Sequence, residues 1–160
     1  MRRTSMLTLA VSTLALAACN PFSRDPVTEV SRDANANARW NATLVTPAEL
    51  SGAVQMNGSA TMQPAKKGES TQFSIQVANA TPGGLHPWQV HRGRCNADGG
   101  VFGSSDDYGT MKIGDDGRGE TGATIDERTP ATGDYFVVVY ASAENPSTIV
   151  ACGNLAPPAR

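Results

Sequence analysis

The sequence predicts an all-β domain of roughly eight short strands, folded as a Greek-key barrel or sandwich. Three observations carry that expectation. Beyond residue 40 no segment sustains a helical apolar period, whereas several alternate with period two. Turn formers are plentiful, with 16 Gly and 10 Pro in 160 residues, and they separate the alternating runs. The length of 160 residues suffices for one core but not two, and only 18% of the residues are charged, below the usual quarter.

Residues 42–46 and 52–63 are the first two expected strands. In residues 71–78, Phe73, Ile75 and Val77 fall on one face and Ser74 and Gln76 on the other, as a half-buried antiparallel strand requires. In residues 85–91, Trp88 and Val90 point inward, and Gln89 and His91 point outward to solvent. Residues 110–113 and 120–125 flank Gly114-Asp115-Asp116-Gly117 and read as a hairpin, because those turn residues tolerate positive φ. Residues 134–141 are the most apolar and β-branched run, hence a central strand. Residues 148–152 are short and close the sheet. Trp88 is expected in the core. Trp40, at the domain edge, suits a core position and an exposed binding anchor equally.

Residues 1–18 read as a signal peptide. Arg2 and Arg3 form a positive start, and residues 6–18 form an apolar stretch too short to span a bilayer. Leu16-Ala17-Ala18-Cys19 resembles the lipobox of bacterial lipoproteins, in which the Cys19 thiol receives a diacylglycerol and becomes the first residue. Several acyl chains at ~0.8 kcal/mol per buried CH₂ anchor a protein to a membrane surface without spanning it. Loss of Arg2 and Arg3 takes the formal charge from −2 to −4. Residues 19–39 are polar and aperiodic and read as a tether. Residues 40–160 form the folded domain. An outer-membrane or cell-membrane site facing the periplasm is expected, with a mild preference for the outer membrane because Asn20, not Asp, follows Cys19.

Several function classes are disfavoured. There is no basic excess, so a nucleic-acid partner has no electrostatic support. Two histidines limit metal and acid–base chemistry. Ser104, Ser105 and Ser142 have no His–acid partners to make them nucleophiles. Asp106-Asp107 and Asp115-Asp116 read as solvated turn carboxylates rather than a calcium loop. Arg92 and Arg94 beside His91 form a small basic patch at a strand end. With Cys19 lipidated, Cys95 and Cys152 remain, and an even pair in an exported protein suggests a disulfide, two free thiols being the alternative.

Gly84-Leu85-His86-Pro87-Trp88-Gln89-Val90-His91 resembles the copper-binding strand of copper/zinc superoxide dismutases, Gly-Leu-His-Gly-Phe-His-Val-His. Cys95 follows near that family's first disulfide cysteine, and Ala151-Cys152-Gly153 matches the segment carrying the second. Asp107-Tyr108-Gly109-Thr110, residues 114–125 and Val138-Val139-Tyr140 resemble further family segments, in the same order, across about residues 50–155. The resemblance implies the family's eight-stranded Greek-key barrel. It also implies how much chemistry is missing. The family holds copper by four histidines, one bridging to zinc, and zinc by two more and an aspartate. Here Gln89, His91, Asp107 and Tyr140 stand at remnant metal positions, His86 matches a structural hydrogen-bonder, and Ile149 replaces an anion-guiding Arg. A buried apolar side chain at 149 attracts no anion.

Fold and function separate readily in this way. The expectation is therefore a non-catalytic, lipid-anchored cell-envelope protein with a dismutase-like domain, in a binding or structural role, with an unknown envelope protein as partner and no cofactor. The alternatives are a divergent superoxide dismutase, or a weak periplasmic copper or zinc binder. In the last, His91 would be joined by Tyr140 or Asp107 and a methionine from Met56, Met62 and Met111.

Overall fold

The computed structural model describes residues 38–158. The expected signal peptide (residues 1–18), Cys19 and residues 20–37 of the expected tether lie outside the described residues. Nine strands form: β1 (Trp40–Val45), β2 (Asn57–Ala65), β3 (Ser70–Ala78), β4 (Leu85–Arg94), β5 (Ala97–Val101), β6 (Thr110–Lys112), β7 (Gly119–Ile125), β8 (Tyr135–Tyr140) and β9 (Ile149–Asn154). Among the described residues there is no α-helix, only three short 3₁₀ turns, and no helix long and apolar enough to cross a membrane. The fold is all-β, and every pairing is antiparallel.

The strands run β5-β4-β8-β9-β1-β2-β3-β7 across one sheet, with β6 also on β4. The sheet curls into a half-barrel around a single main core. Alternation decides which side chains enter it. β1 sends in Trp40, Ala42 and Leu44, β3 sends Phe73, Ile75 and Val77, and β4 sends Trp88 and Val90. Trp40 is thus a core residue, 1% exposed, in edge contact with Tyr135 at 5.6 Å between centroids. Trp88 is buried as expected and meets Tyr108 edge-on. Met56, Met62 and Met111 are also core residues, packed by their apolar side chains rather than offered as ligands.

β8 explains its own sequence. Val137 and Val139 face the main core. Phe136 and Val138 face outward into a second, smaller cluster with Cys152, flanked by Cys95, Tyr140 and Ile149. A strand buried on both faces loses its alternation, so YFVVVY reads as one apolar run. Its neighbours are β4 and β9, which makes it the internal strand expected. The Cys95–Cys152 disulfide is formed and belongs to this outer cluster.

The structure corrects several boundaries. The second strand starts at Asn57, not at 52, because residues 47–54 turn back on themselves through Leu50 N–H to the Pro47 carbonyl and Val54 N–H to the Leu50 carbonyl. β5 was not expected, since Ala-Asp-Gly-Gly-Val has little strand propensity. It forms because Cys95 and Asn96 make a two-residue hairpin turn between paired Arg94 and Ala97. Gly93 permits this turn. Its φ is +99°, and a Cβ there would lie 2.1 Å from the Ala97 carbonyl oxygen.

The expected hairpin of residues 110–125 is a corner instead. The 114–117 turn closes through Gly114 N–H to the Arg118 carbonyl at 2.8 Å, but β6 pairs with β4 and β7 pairs with β3. The turn therefore leads from one end of the sheet to the other. The last strand, β9, lies inside the sheet between β8 and β1 rather than at a closing edge.

Candidate functional site

Gln89 and His91 are two residues apart on β4 and so share a face, opposite Trp88 and Val90. β8 runs antiparallel beside them, with Gln89 facing Val138 and His91 facing Phe136. Tyr140, two residues beyond Val138, carries its hydroxyl back over the same face. The ladder to β9 is irregular between Val139 and Tyr140. The structure therefore brings Gln89, His91 and Tyr140 together on the outer side of the barrel.

His91 is directed outward but is not at the surface, being 6% exposed. This corrects the expectation of a solvated side chain. Its ring lies against Phe136 at 5.3 Å between centroids, and the β4–β5 hairpin brings Asp98 to its edge. His91 Nδ1 is 2.8 Å from Asp98 Oδ1. A carboxylate only accepts, so Nδ1 carries the proton there. On the other side, His91 Nε2 lies 3.1 Å from Gln89 Oε1 and 3.2 Å from Tyr140 Oη. Tyr140 Oη donates to Gln89 Oε1 at 3.3 Å.

The charges around the ring are shaped by this packing. The Gly100 backbone N–H donates to Asp98 Oδ1 at 2.7 Å. That bond first, and the His91 contact second, hold the Asp98 carboxyl below the usual carboxylate range. Burial, and secondarily the negative charge on Asp98, push the Tyr140 phenol above its ordinary value.

Asp107 is not part of the cluster. Its Oδ2 accepts from the Ser104 backbone N–H at 3.0 Å, capping the 105–107 turn. The local geometry that makes Asp a good cap has taken it from any shared site. His86 is likewise committed, its Nδ1 donating to the Tyr140 carbonyl at 2.9 Å. Its Nε2 is buried without a partner, beside Gly84, whose Cβ would lie 2.8 Å away. His86 thus tethers the end of β8 from behind and does not enter the cluster.

The basic patch is neutralised. Arg92 pairs with Glu127 at 2.7 Å and lies over the Phe102 ring, and Arg94 pairs with Asp134 at 2.9 Å. Asp116 accepts from the Arg118 backbone N–H, a turn role. Ser142 accepts from the Asn145 backbone N–H. Ile149 is half-buried, less enclosed than expected, because it flanks the outer cluster rather than the main core.

Asp98 was missed. The available signal was Cys95-Asn96 as a two-residue turn, which sets Gly93 opposite Asp98 and carries the carboxylate to the His91 edge. The Gly-rich segment around it hid the strand.

The copper–zinc pair that the dismutase resemblance implies does not fit these residues. One imidazole reaches the cluster, and the second of the chain's two histidines is bound to a backbone carbonyl. Among the described residues, no three of His, Cys, Asp and Glu gather closely enough to hold a metal. Compared with models of known protein families, the chain matches none, and no curated protein matches it.

Proposed function

We propose that this chain is a lipid-anchored cell-envelope protein whose domain is a Greek-key barrel of copper/zinc superoxide dismutase type, retained as a binding or structural module without dismutase activity. The single-imidazole cluster carries the reading. A dismutase that cycles copper beside a bridged zinc needs several imidazoles converging, and here Gln89 and Tyr140 stand with His91 alone.

The scaffold side of the reading is supported by the long crossings β3 to β4 and β7 to β8 within the sheet order, by the disulfide from the end of β4 to β9, and by His86 acting as a hydrogen-bonder. The anchor side rests on residues 1–19 of the sequence. Cys19 carries the lipid, and residues 19–39 tether the domain, facing the periplasm from the cell membrane or outer membrane. The partner is another envelope protein.

Reconstitution with copper and zinc, followed by a superoxide-consumption assay, tests the catalytic half. No rate above free metal is expected, and copper-dependent turnover lost in His91→Gln would overturn it in favour of a divergent dismutase. Membrane fractionation of Cys19→Ala tests the anchor. Release into the soluble periplasmic fraction is expected, and unchanged membrane association would reject lipidation. Crosslinking in intact cells then identifies the partner.

A further inference from the structure

We propose that the outer face of β1, β2, β3 and β7 binds an uncharged linear polysaccharide of the cell wall whose sugars carry acetamido groups. This goes beyond the proposed function, adding a glycan to the protein partner, and it uses none of the residues around His91. The chemistry of the face stands apart from that reading; only the source of the glycan, the wall, rests on it.

Antiparallel register sets the outward side chains in rows across the four strands. Thr43 faces Ser59, which faces Gln76, which faces Glu120. Asn41, Thr61, Ser74 and Gly122 make the next row, and Gln63, Gln72 and Thr124 the third. All of them are exposed or half-exposed. Glu120 is the only charged side chain in the rows, whereas about 25–35% of a soluble surface is ordinarily charged.

The groups presented are hydroxyls and carboxamides. Arg39 Nε donates to Gln63 Oε1 at 2.9 Å. A guanidinium only donates, so Gln63 turns its NH₂ to Gln72 Oε1, at 3.0 Å. The Gln72 NH₂ is then the free donor end of the relay. The hydroxyls of Thr43, Ser59, Thr61, Ser74 and Thr124 bond to no described residue and are left to solvent. A matching ligand is uncharged and carries donors and acceptors along its whole length, as sugar hydroxyls and acetamido groups do. A nucleic acid or an anionic lipid surface needs cations that the rows lack. A protein partner anchors chiefly through buried aromatic or Arg side chains, and the rows present no large apolar group to receive them.

Spacing agrees with this choice. Neighbouring strands lie about 4.8 Å apart, close to the length of one pyranose in an extended chain. Each sugar of a chain laid along a row therefore meets one strand. Two open hollows mark its course. One of about 780 Å³ touches Thr43, Ser59 and Gln76, the other of about 370 Å³ touches Ser74, Gly122 and Thr124, and Glu120 lines both. No aromatic ring in the rows offers a stacking platform, so a single sugar gains only a few bonds in competition with water. A polymer makes such bonds on every strand at once, and its repeated sites raise retention. The wall polymer, not a free sugar, is thus the occupant.

Co-sedimentation tests the face, using the full chain purified in detergent. The probes are protein-free insoluble wall glycan and chitin, a polymer of acetamido-pyranoses. Both should retain the protein, with little loss at high salt because no charge pair forms. Cellulose, which lacks the acetamido group, should retain at least about tenfold less. A chitin tetrasaccharide should compete, and N-acetylglucosamine should not. Ser74→Arg, which fills the middle row, and the double variant Gln72→Ala, Gln76→Ala should each cut retention at least about tenfold. Asn96→Arg, in the turn between β4 and β5, should leave it unchanged. Circular dichroism shows that each variant is folded, and the double alanine variant decides the matter if Ser74→Arg does not fold.

Equal retention on cellulose, retention lost in salt, full competition by the monosaccharide, or indifference to the Gln72 and Gln76 substitutions overturns the proposal. A protein crosslinked to these rows without glycan retention overturns it in favour of a protein interface. None of these results touches the assays of superoxide turnover and of Cys19→Ala, which decide the proposed function. Chitin retention by a chain that does not fractionate with membranes would keep the face and reject the anchor.

Discussion

Replacing both Cys95 and Cys152 by Ala should cost the domain a substantial part of its stability. The bridge joins residues 57 positions apart, tying the β4–β5 turn to the middle of β9. In the chain-entropy account, opening a loop of that length in the unfolded state is worth about 4 kcal/mol at 25 °C. The folded state loses little by comparison. Cys152 is 7% exposed and packs with Phe136 and Val138, and two alanines leave that cluster apolar without stranding a polar group. For a domain of this size, roughly 4 °C per kcal/mol converts the loss to a fall in Tm of about 15 °C. Thermal unfolding followed by far-ultraviolet circular dichroism, comparing the oxidised protein with the double variant, reads that shift. Urea unfolding supplies the second measurement. If the bridge acts on the unfolded chain, the uncrosslinked variant exposes more surface and its m-value rises. A loss below about 1 kcal/mol with an unchanged m-value would refute this reasoning.

Two further perturbations test the packing and the site. Gly153→Ala places a Cβ 2.3 Å from the Thr43 carbonyl oxygen and 3.2 Å from Leu44 Cα, so β1 and β9 must part. A loss of about 1–3 kcal/mol is expected in denaturant unfolding, against little change for Gly109→Ala, which meets nothing within 4 Å. Asp98→Asn removes the charge that helps hold the Tyr140 phenol protonated, so Tyr140 should ionise at lower pH in an ultraviolet titration. An unmoved phenolate absorbance would contradict the contact. The same variant bears on acid sensitivity. The Asp98 carboxyl is held low in the fold, so its stabilising effect is complete above the ordinary carboxylate range and is lost as the pH falls through its depressed value. The Asn variant should lack that component of acid destabilisation.

Much of the architecture was legible locally. β3 alternates so cleanly that its inward set, Phe73, Ile75 and Val77, follows from the pleat alone. The all-β class and the internal placement of β8 follow from the same period and its loss. The count of two cysteines beyond Cys19, in a chain read as exported, suggests the pairing that the structure forms. β5 was not legible, because its strand conformation is imposed by the hairpin turn at Cys95-Asn96 and by a glycine at positive φ. Propensity carries no trace of either.

By itself, then, the order of residues determined which side chains face inward along each strand, since that depends only on neighbours one and two positions away. It also placed Gln89 and His91 on one outward face. The resemblance set Tyr140 with them, which patterning alone does not, and only the folded chain brought Asp98 there and left Asp107 out. Tyr140 lies 49 residues from His91, and Asp98 reaches the ring through a turn that binary patterning does not mark. Burial worked the same way: Trp40 and His91 are enclosed by β8 residues far along the chain, and such enclosure belongs to the assembled sheet, not to any one strand.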